Sequence, residues 1–580
     1  MIRNLCFSTV ALVLALLVSC NKDDVITDGG PKPVITLDNP DGIYPVKVGK
    51  SVTIAPTVEN AEGADYAWIL DGEPAGSAAT FTFTAEKAGY YYLVFRVETA
   101  NGSAEEELRI DVNLLQPPVI SFPVGEDKTM EVETGRETVI APTVANADET
   151  TTYVWTLDGV KAGTEATYTF KQSTKGEYLL TLQAENEDGK GDPETITVRV
   201  VDRFPVTAVF PAPSCLFGPA GLRTVSKDRT LCLRPYLEHF HNPTFAWTVD
   251  GQPAEGKGEF FTFKPDGEGE YTIVVTVTDD DGATATASVT ITCYSDEASH
   301  KRTGGTNRFS NEVYEYTPAP GQFINEGGSI ASAEAAAAYA QEQIRKNAEE
   351  GKDYYVSLGA WGGSIVVGFD HSIENKGGYN GYDFSITGNQ FAQSSEPGIV
   401  WVMQDTNGNG LPDDEWYELK GSEYGKPETL QFYAMTYYRP KSDNTAIQWK
   451  DNRGNAGQVE RNNSHKQGYF PQWITDESYT LYGTRLAANT TQDPITGDYR
   501  NNPYEEGYAD NAGRDQAAGE VADGNPRKNY FKIANAVNAD GSAADLQYID
   551  FIKVQTGISH NSGPLGEVST EVFAFEDENI

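Results

Sequence analysis

The 580-residue sequence predicts an all-β protein: three small sandwiches in tandem, then a larger sandwich carrying one helix. Three observations support this. The strings YAWILDG (Tyr66–Gly72), YVWTLDG (Tyr153–Gly159) and FAWTVDG (Phe245–Gly251) recur with their tryptophans about 87 and 92 residues apart, a module-sized period. Each is followed by a second signature (GYYYLVFRVETANG, GEYLLTLQAENEDG, GEYTIVVTVTDDDG), a strand of alternating polarity that closes on Asn101-Gly102, Asp188-Gly189 or Asp281-Gly282. Beyond residue 296 the composition shifts to longer apolar or alternating runs punctuated by Gly, Asn, Asp and Pro.

The chain start reads as an address. Arg3 precedes an apolar stretch from Leu12 to Val18, and Leu17-Val18-Ser19-Cys20 resembles a bacterial lipobox, which implies that Cys20 is lipidated and that residues 1–19 are removed. The following Asn21-Lys22-Asp23-Asp24 resembles the surface-export signal of Bacteroidetes lipoproteins. The expectation is an outer-membrane protein anchored by lipid and facing outward; a periplasm-facing lipoprotein is the alternative. Residues 20–32 form the tether.

Modules are expected at 33–114, 115–203 and 204–295, each with the short β-branched and aromatic strands of an immunoglobulin-like sandwich. They resemble the PKD family, on the repeated tryptophan, Asp-Gly turn and G-x-Y strand. That resemblance implies a spacer or stalk, with Trp68, Trp155 and Trp247 in the cores. His239 and His241 share one strand face but lack a third metal ligand, which favours surface or packing roles over metal binding. Of the five cysteines, Cys215, Cys232 and Cys293 fall in the third module; Cys215 and Cys232 are candidates for pairing.

Residues 296–320 read as a polar, glycine-punctuated linker, and 321–580 as a jelly-roll-like sandwich. SAEAAAAYAQEQIRKNAEEGK is its one clear helix, capped by Ser332 and ended by Gly351. Its strings VSLGAWGGSIVVGFDHSIENKGGYNGYDFSITGN, SSEPGIVWVMQDTNGNGLPDDEWYELKGSEYG and YIDFIKVQTGISHNSGPLGEVSTEVFAFED resemble a Bacteroidetes cell-surface family that carries this domain after PKD-like repeats. The resemblance implies ligand capture beside a TonB-dependent transporter, with a corrinoid (vitamin B12) as the ligand. It assigns no binding residues.

Candidate residues come from the sequence itself. In DTNGNGLPDDEWYEL, Asp405, Asn407 and Asn409 hold the first, third and fifth places of a calcium loop, Gly410 the sharp turn, and Leu411 the place that offers a carbonyl. The twelfth place is Trp416 and no helical pattern flanks the loop, so it is no EF-hand; Asp413 or Glu415 would complete the set. A metal-free hairpin is the competing reading. Trp449, His465, Tyr469 and Trp473 lie in stretches rich in glycine, proline and amides, suited to stacking a sugar or a corrin ring or to covering a core. Trp401 and Trp416 lie within strands and read as core. His371, His465 and His560 are the domain's available imidazoles, none assigned to cobalt.

A net charge of −41 argues against nucleic acid and anionic membrane surfaces as partners. No H-E-x-x-H, G-x-S-x-G or P-loop string occurs, which favours a binding protein over an enzyme, although Glu396, Glu415 and Glu567 leave a glycosidase carboxylate pair open. No organic cofactor is expected. Glycan capture and an adhesive or structural role are the alternatives to corrinoid capture.

Overall fold

A computed structural model describes residues 30–214, 220–326, 328, 330–350, 354–391, 393–516 and 527–580. The signal peptide, Cys20, Cys215 and Gly351 lie outside these residues. Two compact units result: residues up to Leu115 with Pro494–Thr496, and the remainder of the chain from Gln116 onward. Among the described residues the chain is nearly all β with one α-helix, and its small modules are tandem Ig-like sandwiches.

The first unit is built on a five-stranded sheet in the order Ile43–Lys47, Gly102–Asn113, Gly89–Thr99, Asp65–Leu70, Glu73–Gly76, whose first strand runs parallel to its neighbour. The second and third modules repeat the same order. Each signature tryptophan fills a core, as the repeat pattern predicts. Trp68, Trp155 and Trp247 are 1%, 0% and 3% exposed, and each indole N–H donates to a carbonyl, of Ala78, Glu165 and Gly258 respectively.

The Asp-Gly pair after each tryptophan has a specific reason. Asp71, Asp158 and Asp250 all take φ near 50°, and the glycines after them are also at positive φ, the backbone of a tight hairpin turn. Each aspartate then accepts the N–H of a residue on the next long strand, Tyr92, Leu179 or Thr272, at 2.8–2.9 Å. One residue both tolerates the turn and ties it to the sheet.

The second module locks onto the third through charge. Arg136 pairs with Asp280 and Asp281, Arg203 with Asp279, and Glu133 accepts the Phe204 N–H and bonds His241. His239 stacks on Phe204. The two histidines therefore pack a joint. Cys232 and Cys293 are buried free thiols.

In the final domain one antiparallel sheet dominates, in the order Glu312–Thr317, Ser364–Glu374, Tyr548–Thr556, Gly398–Met403, Trp416–Leu419, Ala536–Val537. Its inner face (Ile365, Val367, Val400, Val402, Ile552, Val554) packs in a core with Phe384, Ile386, Phe531 and Phe575 of a three-stranded sheet and with helix Ala333–Glu350, which turns Ala336, Ala340 and Ile344 inward. Ser332 caps that helix by accepting the Ala335 N–H. A separate four-stranded sheet, including Leu430–Tyr438 and Ser478–Arg485, has its own core around Trp361, Tyr433 and Tyr437.

Two expectations are corrected. Residues 312–317 of the expected linker are a strand of the main sheet, and Arg302 in the same segment pairs with the buried Asp550. The second and third modules are not free spacers: both dock on the final domain, the second through Glu126 to Gln448 and Pro123 to Ala456, the third through Arg223 to Glu415 and Arg229 to the Ala544 carbonyl.

The turn aspartate yields a direct test. Asp158→Ala loses a hydrogen bond and the short polar side chain that eases the left-handed backbone, for a loss of about 2 kcal/mol, whereas Asp158→Asn keeps the acceptor and loses less than half of that. Calorimetry of the full chain separates the two; equal losses reject the role given to the carboxylate.

Candidate functional site

Strands of the main sheet alternate, so the residues between the core positions point to its other face. That face carries Ser364, Val366, Trp401, Trp416, Glu418, Lys553 and Gln555. The third module covers it with its Phe210–Ser214 segment and its 222–236 strands. Between them lies a cavity of about 370 Å³.

Register brings the key groups together. Trp401 stands opposite both Glu418 and Lys553 on adjacent strands. The Lys553 ammonium sits 4.9 Å from the Trp401 ring centre and 4.8 Å from that of Trp416. Cation–π attraction thus fixes two indoles and a charge on one wall. Across from them, Arg234 lies over Phe432 and Tyr236 packs edge-on against Tyr482.

Charges in the cavity are largely answered. Arg223 pairs with Glu415 at 2.9 Å, Arg234 with Glu259 at 2.6 Å, Ser214 bonds Glu315, and Thr484 donates to Glu418 at 2.6 Å. Burial pushes the Glu418 carboxyl up to about 7 and raises Glu415. The buried atoms of the lining without a hydrogen-bond partner include the indole N–H groups of Trp401 and Trp416, Oε1 of Gln555, which is 3% exposed, and Nε of Arg234, while Glu415 Oε2 is answered by the charge of Arg223. Gln555 Nε2 already donates to the Gly362 and Tyr482 carbonyls, which fixes the orientation of Oε1. Unanswered donors and an acceptor in one cavity are positions that a ligand or water completes. Trp401 and Trp416 are thus half-buried cavity walls, not the core residues that their strand positions suggest.

The Asp405 loop is the hairpin that carries Glu415 and Trp416 to this wall. Asp405 is 2% exposed; its Oδ2 accepts the Gly410 N–H at 2.9 Å, its N–H donates to Asp550 at 2.8 Å, and its Oδ1 has no partner. The amides of Asn407 and Asn409 each donate to Asp413 at 2.9 Å, and Asn409 accepts the Leu411 N–H. Half a turn of either amide would present an oxygen instead. Asp405, Asn407, Asn409, Leu411 and Asp413 therefore share one loop. Glu415 does not join them: it faces the cavity and Arg223. Neighbouring Asp414 also turns inward, accepts the Thr406 N–H and is pushed by burial up to about 8.

The four aromatic and histidine candidates lie elsewhere, and none lines the cavity. Trp449 is on a strand, Ile447–Asp451, opposite Gly457, where any side chain would collide with the indole. Tyr469 is 1% exposed, with Arg461 over its ring, so it offers no free face. Trp473 packs on the main core beside Tyr316, and His465 is edge-on to Phe323 and near Glu326. Their glycine- and proline-rich context signals chain reversals over a core, not an open platform. Glu396, Glu415 and Glu567 fall in separate settings; Glu567 accepts the Gln322 N–H at 2.6 Å and burial pushes it up to about 8. What sequence reasoning missed is the cavity itself, whose two walls come from separate modules. Its one local signal was the alternation of Trp401 with Val400 and Val402.

Among known proteins, the PKD-like domain family matches residues 32–99 and 117–186. No curated protein matches. Similar solved structures include a titin I-band fragment, I67–I69 (16% identity, 45% of this chain and 99% of that one, TM-score 0.20). Others are fibronectin(III)-like modules of Clostridium thermocellum CbhA (16%, 29% and 95%, 0.18) and Sidekick-1 immunoglobulin domains 1–5 (14%, 46% and 59%, 0.18). The first two modules are thus PKD-like over the matched residues. Among the described residues no helix is long and apolar enough to cross a membrane.

The raised carboxyls set a pH dependence. Glu418 and Glu567 hold protons in the fold, up to about 7 and about 8, that the unfolded chain releases near pH ~4.3. Their contribution is complete below that pH and is lost as pH rises through 7 and 8. The melting temperature of the Gln116–Ile580 unit in chelator-containing buffer is expected to fall from pH 5 to pH 8.5, with a shallower fall in Glu418→Gln. A flat profile would reject the assignment.

Proposed function

We propose that this protein is a lipid-anchored cell-surface capture protein that holds a neutral, hydroxyl-rich ligand, the size of one or two sugar rings, between its third module and its final domain. The single observation behind this reading is the cavity wall where the Trp401 and Trp416 indoles flank Lys553 with their N–H groups unanswered. Aromatic faces stack on the apolar faces of a sugar ring, while indole N–H groups and an amide oxygen bond its hydroxyls. Paired charges favour a neutral ligand over an anion or a cation. A volume of about 370 Å³ suits a small molecule and is too small to enclose a whole corrinoid, so the cavity favours the glycan alternative.

The remaining parts of the proposal follow from the sequence. Cys20 anchors the chain at the outer face of the outer membrane, and a TonB-dependent transporter receives the ligand. Calcium in the Asp405 loop, with Asp405, Asn407, Asn409, Asp413 and the Leu411 carbonyl as ligands, stiffens the hairpin that presents Trp416.

The test uses the full mature chain, because half of the cavity belongs to the third module. Calorimetric titration with a panel of mono- and disaccharides is expected to find a saturable ligand, weakened about tenfold or more (~1.4 kcal/mol) by Trp401→Ala or Trp416→Ala and left within about twofold by Trp449→Ala. Cyanocobalamin is the counter-probe. Tight cobalamin binding that survives Trp401→Ala would overturn the assignment, as would silence toward every sugar.

A further inference from the structure

Outside the cavity, three carboxylates from distant parts of the final domain meet. Glu396 comes from the loop before strand Gly398–Met403, Asp510 from the connection after Tyr508, and Glu571 from strand Glu571–Val572. One oxygen from each lies within 4.8 Å of the others. Asp510 is 1% and Glu571 4% exposed, while Glu396 is half-buried.

A second acidic trio, Asp279, Asp280 and Asp281, shows what neutralisation by protein looks like, because Arg203 and Arg136 reach into it. Glu396, Asp510 and Glu571 have no such answer. Among the described residues their partners are neutral: Asn389 N–H and Glu571 N–H to Asp510 at 3.1 and 2.9 Å, Ser569 N–H to Glu396 at 3.3 Å, and the Ser569 hydroxyl to Glu571 at 3.1 Å. Burial and repulsion from neighbouring carboxylates raise Glu396 and Asp510 well above the carboxylate range; burial alone pushes Glu571 up to about 7, against the pull of a hydrogen bond that it shares with Glu396. Left alone, the cluster resists ionisation.

An independent observation lies next to it. Gln390 is 1% exposed and its Oε1 has no partner. That oxygen and Asp510 Oδ1 stand 2.7 and 2.8 Å from the point where a β-carbon on Gly388 would fall, so glycine keeps open the space they share. Asp510 itself is held at φ 53°, a strained backbone, by the Glu396 N–H to its carbonyl and by the reciprocal Ala509–Gly398 pair.

We propose that Glu396, Asp510 and Glu571, with Gln390 Oε1, bind a hard divalent cation, best fitted by calcium, that pins together the chain at Gln390, Glu396, Asp510 and Glu571. Oxygens within 4.8 Å of one another match opposed ligands on an ion with bonds of about 2.3–2.6 Å. An all-oxygen, carboxylate-rich set selects calcium over zinc or copper, and a set assembled from protein oxygens suits calcium better than magnesium, which dehydrates reluctantly. The site is separate from the Asp405 loop and shares no residue with it.

Calcium counting on the chelator-stripped, re-equilibrated full chain tests this. Asp405→Asn is expected to retain an equivalent of calcium that Glu571→Gln or Asp510→Asn loses, with affinity at that site down at least about 100-fold, in line with the loss of a charged ligand. Melting supplies the second readout. Removing a charge from a metal-free, self-repelling cluster stabilises the fold, whereas removing a ligand from a metal site lowers the melting temperature in calcium and shrinks the calcium-dependent rise. A Glu571→Gln chain that binds as much calcium as wild type, or that melts higher than wild type in calcium, overturns the proposal. If neither triad variant folds, Asp405→Asn decides alone: one retained equivalent supports the site and none overturns it.

Discussion

A strand has two faces and a core can occupy only one of them. In the final domain the continuously apolar positions of Ser364–Glu374, Gly398–Met403 and Tyr548–Thr556 face the helix and the three-stranded sheet, which leaves Trp401, Trp416, Lys553 and Gln555 on the reverse. Such a face is too aromatic to be left bare and too polar to be packed dry. The third module resolves this by lying over it, and imperfect closure between the two surfaces leaves the cavity. Its docking through Arg223 and Arg229 is therefore a requirement of the sheet, not an accident of a neighbouring domain.

Local and periodic features were legible in the sequence. The tryptophan repeats, the Asp-Gly turns, the helix with its Ser332 cap and the long strands of the final domain each depend on neighbours close in the chain, and pattern reports such neighbours well. The loop from Asp405 to Asp413 was legible for the same reason. The short strand Glu312–Thr317 was not, because polar Glu312 and Glu315 hide it within a glycine-rich stretch.

The cavity and the carboxylate cluster escape the sequence because contact order there is high. Arg223 and Glu415, Ser214 and Glu315, or Glu396 and Glu571 meet across a hundred residues or more, and no spacing rule links them. The choice of Trp449, Tyr469 and Trp473 rested on composition, which marks a chain reversal but does not tell whether the aromatic ring points out or in. Tyr469 points in because the four-stranded sheet needs a second layer, and that sheet is itself visible only in three dimensions.

Basic residues are scarce, 44 against 85 acidic ones, and many of them sit at junctions: Arg136 and Arg203 between the second and third modules, Arg223 and Arg229 where the third meets the final domain. The interiors of the modules are held by tryptophan and aliphatic packing, which salt hardly touches; the more exposed pairs of Arg136 weaken as salt rises, whereas the largely buried pairs of Arg223 and Arg229 are screened much less. Elasticity and architecture are thus under separate control. In brine or in dilute medium the modules keep their shape, and what varies with the ionic environment is how stiffly they are jointed.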